Sequence, residues 1–256
     1  MDGGRIQCVT LFDNFLYVLP RLKFSEQIEV YDKDSYRLQR CLTVHGLRYP
    51  VDIAFCVHYR CGYISDSANS CIHRLALPRA DVTQWPVNEY AASLSVTDKH
   101  SVLVTCCKVR IIKEFTTHGQ QIRKVQLPGS ITSPRHTVQL STGELVVCHG
   151  DTNDSIHGVS LIDSGGQVVR SYGGLKGSST RQVSAPTHAA VDSDSFVYVA
   201  DRDNGRVLLL SPSLSYIREI VMLRHKLKSG PERLCLDHDT KCLYVIADGR
   251  LAKVSL

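Results

Sequence analysis

Three observations predict an all-β chain folded as a six-bladed β-propeller. The first is self-similarity. Segments opening at Pro50, Pro134, Pro186 and Pro231 share one pattern, and two further copies without the proline begin near Arg5 and Tyr90. A period of about 40–50 residues built only of strand-like runs indicates radial repetition, because one small sheet cannot bury its faces without neighbours of its own kind. The second is turn chemistry: the runs are short and are bounded by Asp, Asn, Ser and Gly clusters, which read as hairpins. The third is the near absence of helical periodicity. Even Ile217 to Lys228, which could be drawn as a helix, continues a fourth strand through its Ile-Val-Met-Leu run.

The units fall at about 5–46, 50–87, 90–129, 134–174, 186–223 and 231–256, within a single domain. Each reads as four strands, the second carrying a Tyr-Val, Tyr-Ile or Val-Val pair. In the first unit the strands are expected over about 5–11, 15–20, 27–32 and 37–44. The clearest unit is APTHAAVDSDSFVYVADRDNGRVLLL, from Ala185 to Leu210. It runs from Pro186 into a strand, through a polar turn into Phe196 to Ala200, and through Asp201-Arg202-Asp203-Asn204-Gly205 into a third strand. The last unit stops after its third strand, so 23 strands are expected. Either upstream sequence completes that blade, or it keeps three strands and an unprotected edge.

The pattern in the Pro186 unit resembles the NHL repeat. The matching residues are Pro186, Ala190-Val191-Asp192, Tyr198-Val199-Ala200-Asp201 and Asn204-Gly205-Arg206-Val207. The resemblance is fair in the units at Pro50 and Pro231 and loose in the other three. It implies a propeller like the C-terminal domains of tripartite-motif NHL proteins. No RING, B-box or coiled-coil sequence lies within these residues, so a ubiquitin-ligase role would belong to other domains.

The chain has 256 residues, 43% of them hydrophobic, enough for a sizeable core. No apolar run approaches the roughly 18 residues of a membrane helix, and MDGGRIQCVT lacks the pattern of a secretory signal. Ten cysteines, mostly inside strand-like runs and with no Cys-x-x-Cys pair, are expected as reduced buried thiols of a cytoplasmic protein. A net charge of +5 is a mild basic excess, compatible with an acidic partner.

Asp66, Asp201 and Asp248 each follow a second strand and are expected to stabilise the next turn. The residues two beyond each unit's opening should line the central channel: Gln7, Asp52, Ala92, His136, His188 and Arg233. Of these, His136 and His188 are the candidate metal ligands. Ala92 interrupts the ring and Arg233 would repel a cation, so neither a metal nor another cofactor is expected. No Gly-x-Ser-x-Gly elbow and no P-loop order occurs. The chain is therefore expected not to be an enzyme and not to take a small-molecule substrate.

Sorting the loops by face places a basic excess on the side of the second-to-third-strand and interblade loops, and an acidic excess on the other. The basic face carries Arg48, Arg135, Lys176, Arg181, Arg202, Arg224, Lys226 and Lys228, with His149 and His157 nearby. Its richest segment is Arg224 to Lys228, and the loop from Gly173 to Ala185 is expected to be its mobile contact element. The function expected is a non-enzymatic platform binding a protein ligand on this face, with no membrane association. The alternatives are RNA binding on the same face and a metal-dependent hydrolase or lyase centred on His136 and His188.

Overall fold

The computed structural model describes residues 5–22, 25–222 and 229–256. It is a six-bladed β-propeller. Among the described residues 23 strands form six antiparallel sheets, five of four strands and a last one of three, each running outward in chain order. We number these sheets as blades 1 to 6. The innermost strands are Ile6–Phe12, Pro50–Cys56, Ala91–Val96, Pro134–Gln139, Pro186–Val191 and Pro231–Asp237. The expected helix-or-strand ambiguity resolves as the strand Tyr216–Met222; residues 223–228 lie outside the described residues.

The blades pack face to face on side chains that alternate along their strands. Between blades 1 and 2, Phe55 stacks on Phe12 with centroids 4.8 Å apart and tilts over Tyr17 at 4.4 Å. Gly62 makes that approach possible: a Cβ there would meet the Phe55 ring at 2.8 Å. The outermost strands are mostly exposed, as in Leu38–Thr43 and Gln121–Gln126.

Each innermost strand begins with a bulge in its pairing to the second strand. The proline pairs, the next residue is skipped, and pairing resumes at the one after, as at Pro50/Asp52, Pro134/His136, Pro186/His188 and Pro231/Arg233. A bulge leaves one residue unpaired and re-aims its side chain. In blades 1 and 3 the same feature falls at Ile6/Cys8 and at Ala91/Ser93. The residues equivalent to Asp52 are therefore Cys8 and Ser93, not Gln7 and Ala92, which belong to the skipped positions.

The ring closes by packing blade 1 directly against blade 6. Ile6 N–H donates to the Gly249 carbonyl at 2.8 Å, and Leu11 N–H to Cys235 Sγ at 3.2 Å. Ile6, Val9, Leu16, Val18 and Tyr31 share an apolar cluster with Tyr244 and Ile246. Across the same seam the buried Lys33 Nζ lies 3.2 Å from Asp237 Oδ2. Burial alone would raise the Asp237 carboxyl, but hydrogen bonds from Thr240 and Lys33 outweigh it and hold it low. Removing one partner of a buried pair strands the other, so Lys33→Met should cost roughly 3–5 kcal/mol, read as a lowered urea midpoint. Adding Asp237→Asn, which removes the stranded charge but still accepts from the Asp239 and Thr240 N–H groups, should restore part of that loss. A single variant as stable as the parent would mean that the apolar cluster closes the ring unaided.

Candidate functional site

The bulges build two concentric tiers at the hub. The upper tier consists of the skipped residues Gln7, Val51, Ala92, Arg135, Thr187 and Glu232, which line the wall of a cavity of about 330 Å³ on the axis. The rim of this cavity adds Arg21, Tyr49, Tyr90 and Arg202, and Arg233 forms part of its floor. Every blade contributes. Arg21 and Arg202 occupy equivalent places, each immediately after a second strand, since Pro20 pairs with Ile6 as Asp201 pairs with Pro186.

Four arginines thus face one opening, and each is held by an acid. Arg21 Nη1 lies 3.4 Å from Glu232 Oε2, Arg135 Nη1 3.5 Å from Asp151 Oδ2, and Arg202 Nε 2.9 Å from Asp203 Oδ1. Arg233 Nε lies 3.7 Å from Asp52 Oδ1 and finds no hydrogen-bond partner. Lys108 Nζ sits 4.9 Å from the centroid of the Tyr90 ring. The rim is an ordered ring of guanidinium groups and aromatics whose charges are balanced locally.

Beneath it lies the lower tier: Cys8, Asp52, Ser93, His136, His188 and Arg233. All but Arg233 are buried, and the Arg233 side chain is 14% exposed. These side chains tie blades together. Cys8 Sγ–H donates to Asp52 Oδ1 at 2.9 Å, and Asp52 Oδ2 accepts from Leu94 N–H at 2.9 Å. His136 Nδ1 accepts from Ala189 N–H at 3.3 Å, and His188 Nδ1 from Leu234 N–H at 3.4 Å. The two imidazoles stack with centroids 3.7 Å apart. Burial pushes the His136 pKa down to about 4, with Asp52 opposing and Arg233 assisting, and burial pushes His188 well below the usual histidine value.

The candidate metal ligands can be tested on this geometry. Ligand atoms of Asp52, His136 and His188 lie within 4.8 Å of one another. Each histidine, however, spends the Nδ1 lone pair on a backbone N–H, so the neutral ring carries its proton on Nε2. Neither ring then has a free lone pair, and the Arg233 guanidinium lies 3.7 Å from the Asp52 carboxylate. This donor set does not fit a cation.

The other expected site residues scatter. Arg135 and Arg202 line the mouth, as does Gln7. Arg48 lines a separate groove, Lys176 Nζ lies 3.9 Å from Asp203 Oδ2, and Arg181 is exposed on the 173–185 loop. Arg224, Lys226 and Lys228 lie outside the described residues. His149 and His157 are buried rather than offered on the basic face. The loop expected to be mobile is anchored. Arg206 Nη2 donates to the carbonyls of Ser179 and Gln182 at 3.1 and 2.9 Å, and Asn204 Nδ2 to that of Gly177 at 2.8 Å. Asp66 holds the next turn through the N–H groups of Ala68 and Asn69 at 3.2 and 3.3 Å, and Asp201 through Asn204 Nδ2 at 2.8 Å. Both also accept from the segment before their blade, at Arg48 N–H and Ser184 N–H. In blade 6, however, Ala247 occupies the equivalent place and Asp248 sits in the turn at φ 53°.

No protein-family model matches the chain, and no curated protein matches it in sequence. Solved structures resemble it throughout. Hydrazine synthase of Kuenenia stuttgartiensis superposes with a TM-score of 0.69 at 14% identity, over 100% of this chain and 97% of that one. A streptogramin B lyase gives 0.70 at 12% identity, over 100% and 85%. A catalytically inactive virginiamycin B lyase from Staphylococcus aureus, solved with quinupristin, gives 0.73 at 12% identity, over 100% and 82%. Likeness at this level of identity shows the propeller fold alone.

Proposed function

We propose that this propeller is a non-enzymatic platform that binds a protein ligand at the channel mouth on its basic loop face, in the manner of an NHL-type domain. The observation that carries this reading is the mouth itself, where all six blades line one cavity and three acid-held arginines and two tyrosines stand above Arg233 in its floor. Arg and Tyr are the side chains that dominate protein interfaces, because each offers a large area and several polar contacts at low entropic cost. Ion pairs that already orient the guanidinium groups lower that cost further. A nucleic-acid strand gains its affinity from unpaired cations that displace counterions, and here each arginine has an acid beside it. That balance favours protein over RNA. Ten free thiols agree with a reducing, cytoplasmic setting for this role.

The test is retention of partners from extract by the intact chain and by an Arg135→Glu, Arg202→Glu double variant. Two arginine hot spots at about 1–2 kcal/mol each predict at least a roughly 30-fold loss of affinity for a retained protein, with the fold intact. Nuclease treatment should leave retention unchanged. Ligands held equally by both proteins would remove the mouth as the binding site, and ligands lost to nuclease would replace this reading with the RNA one.

A further inference from the structure

A second cluster lies away from the hub, in blade 2. Asp66, Cys71 and His73 are all buried, and each offers one ligand atom within 4.8 Å of the others. Comparing two copies of the repeat shows what is unusual here. In blade 5, Asp201 at the end of the second strand pairs in register with Arg206, and Arg206 Nε donates to Asp201 Oδ2 at 2.7 Å. In blade 2 the same carboxylate is Asp66, and its register partner is Cys71. The permanent cation has been replaced by a thiol. His73, next along the same face of that strand, is the only ion-pair partner of Asp66 among the described residues.

The distances have the proportions of a metal site. Cys71 Sγ lies 3.5 Å from His73 Nε2, and His73 Nε2 lies 3.5 Å from Asp66 Oδ2. Tetrahedral zinc, with bonds of about 2.3 Å to sulfur and about 2.0–2.1 Å to nitrogen and oxygen, sets such ligand pairs about 3.3–3.6 Å apart. Hydrogen bonds to the Asp66 carboxylate from Arg48 N–H at 2.8 Å, Tyr49 N–H at 3.0 Å and Asn69 Nδ2 at 2.8 Å fix its orientation, as the outer shell of a metal ligand does. Cys71 and His73 line a groove of about 1110 Å³ that also reaches His45, Arg48, Gln84 and Trp85.

We propose that Asp66, Cys71 and His73 form a zinc site whose fourth position opens into this groove. The divalent cation takes the electrostatic place that Arg206 fills in blade 5. Binding forms bonds from Zn²⁺ to Cys71 Sγ, His73 Nε2 and Asp66 Oδ2; at Oδ2, which accepts from both Arg48 N–H and Asn69 Nδ2, the Asn69 side-chain hydrogen bond gives way to the metal. The Cys71 S–H bond breaks and its proton leaves to solvent; the proton that His73 Nε2 turns toward Asp66 also leaves that nitrogen, passing through solvent to Nδ1, so that Nε2 is free to bind. Thiolate, imidazole and carboxylate in a tetrahedral frame select zinc over magnesium or calcium, which take oxygen ligands. Burial holds the metal-free thiol up at about 11, so coordination rather than free ionisation supplies the thiolate. The site is independent of the channel mouth and of what binds there.

The experiment uses the intact chain, stripped of metal and titrated with Co²⁺ and with Zn²⁺ against a chromophoric chelator. One equivalent should bind, and Co²⁺ should produce a thiolate charge-transfer band. Cys71→Ser should abolish the band, and both Cys71→Ser and His73→Gln, which remove a ligand outright, should weaken binding by at least the ~100-fold that marks the upper end for outer-shell partners. Cys71→Arg recreates the blade 5 pairing, so it should also lose the metal while keeping a thermal midpoint at or above that of the metal-free parent. That variant answers the question even if Cys71→Ser does not fold. Absence of a stoichiometric thiolate band in the parent would overturn the site. So would a band that survives Cys71→Arg, which would place the metal on other cysteines.

Discussion

Replacing Arg206 by alanine should lower stability by roughly 3–5 kcal/mol and release the loop beside the channel mouth. The side chain is buried and serves four acceptors at once: Asp201 Oδ2 at 2.7 Å, Glu219 Oε2 at 3.3 Å, and the carbonyls of Ser179 and Gln182. Its loss leaves a fully buried Asp201 carboxylate with Asn204 and the Ser184 N–H as its remaining hydrogen-bond donors. It also cuts two of the bonds that hold residues 177–184 against blade 5. Arg206→Lys should rescue little, since an ammonium cannot span four acceptors with the geometry of a planar fork. Urea unfolding reads the first effect, and amide hydrogen exchange across 177–184 reads the second. A loss below about 1 kcal/mol with unchanged exchange would mean that Tyr172, whose hydroxyl bonds to the Thr180 carbonyl, anchors the loop without help.

This anchoring marks where reading the sequence succeeds and where it stops. The fold was legible because period and turn chemistry are local signals, and the Pro-marked units carry both strongly. The hub was misregistered by one residue in two blades because Ile6 and Ala91 stand where the other units place proline, and a bulge leaves no mark of its own in the sequence. Arg21 was legible in principle, since it follows its second strand as Arg202 does. The 173–185 loop is polar and Gly-rich, the composition of a mobile loop, and only the fold brings Arg206 beneath it. The Cys71-Ile72-His73 pattern was also visible, with two ligating residues on one face of a strand five residues beyond an aspartate. Recognising it needed the strand register that sets Asp66 against Cys71 where blade 5 sets Asp201 against Arg206.

Mild acid should destabilise this protein steeply, and the lower tier of the hub supplies most of the reason. His136 is held at about 4 and His188 well below the ordinary value, and burial also holds His149 at about 4, with His157 assisting and Asp154 opposing. In the unfolded chain each returns to about 6.5. Between these values the unfolded state binds more protons than the folded one, so stability is full above pH ~6.5 and falls as pH drops toward ~4. Each group contributes at most about 1.4 kcal/mol per pH unit, so three give a slope of up to about 4. The hub resists protonation for a specific reason. A proton on Nδ1 of His136 or His188 would point at the N–H of Ala189 or Leu234, turning an interblade hydrogen bond into a repulsion. At His136, Asp52 and Arg233 oppose each other and leave desolvation dominant; at His188, desolvation is joined by His136 and Arg233, which push the same way. Urea midpoints at about pH 7 and about pH 5 should differ by several kcal/mol in derived stability, and His136→Gln should remove about a third of the difference. Equal stability at the two values would mean that these imidazoles take up protons while folded, and that the hub is wet enough to hold them.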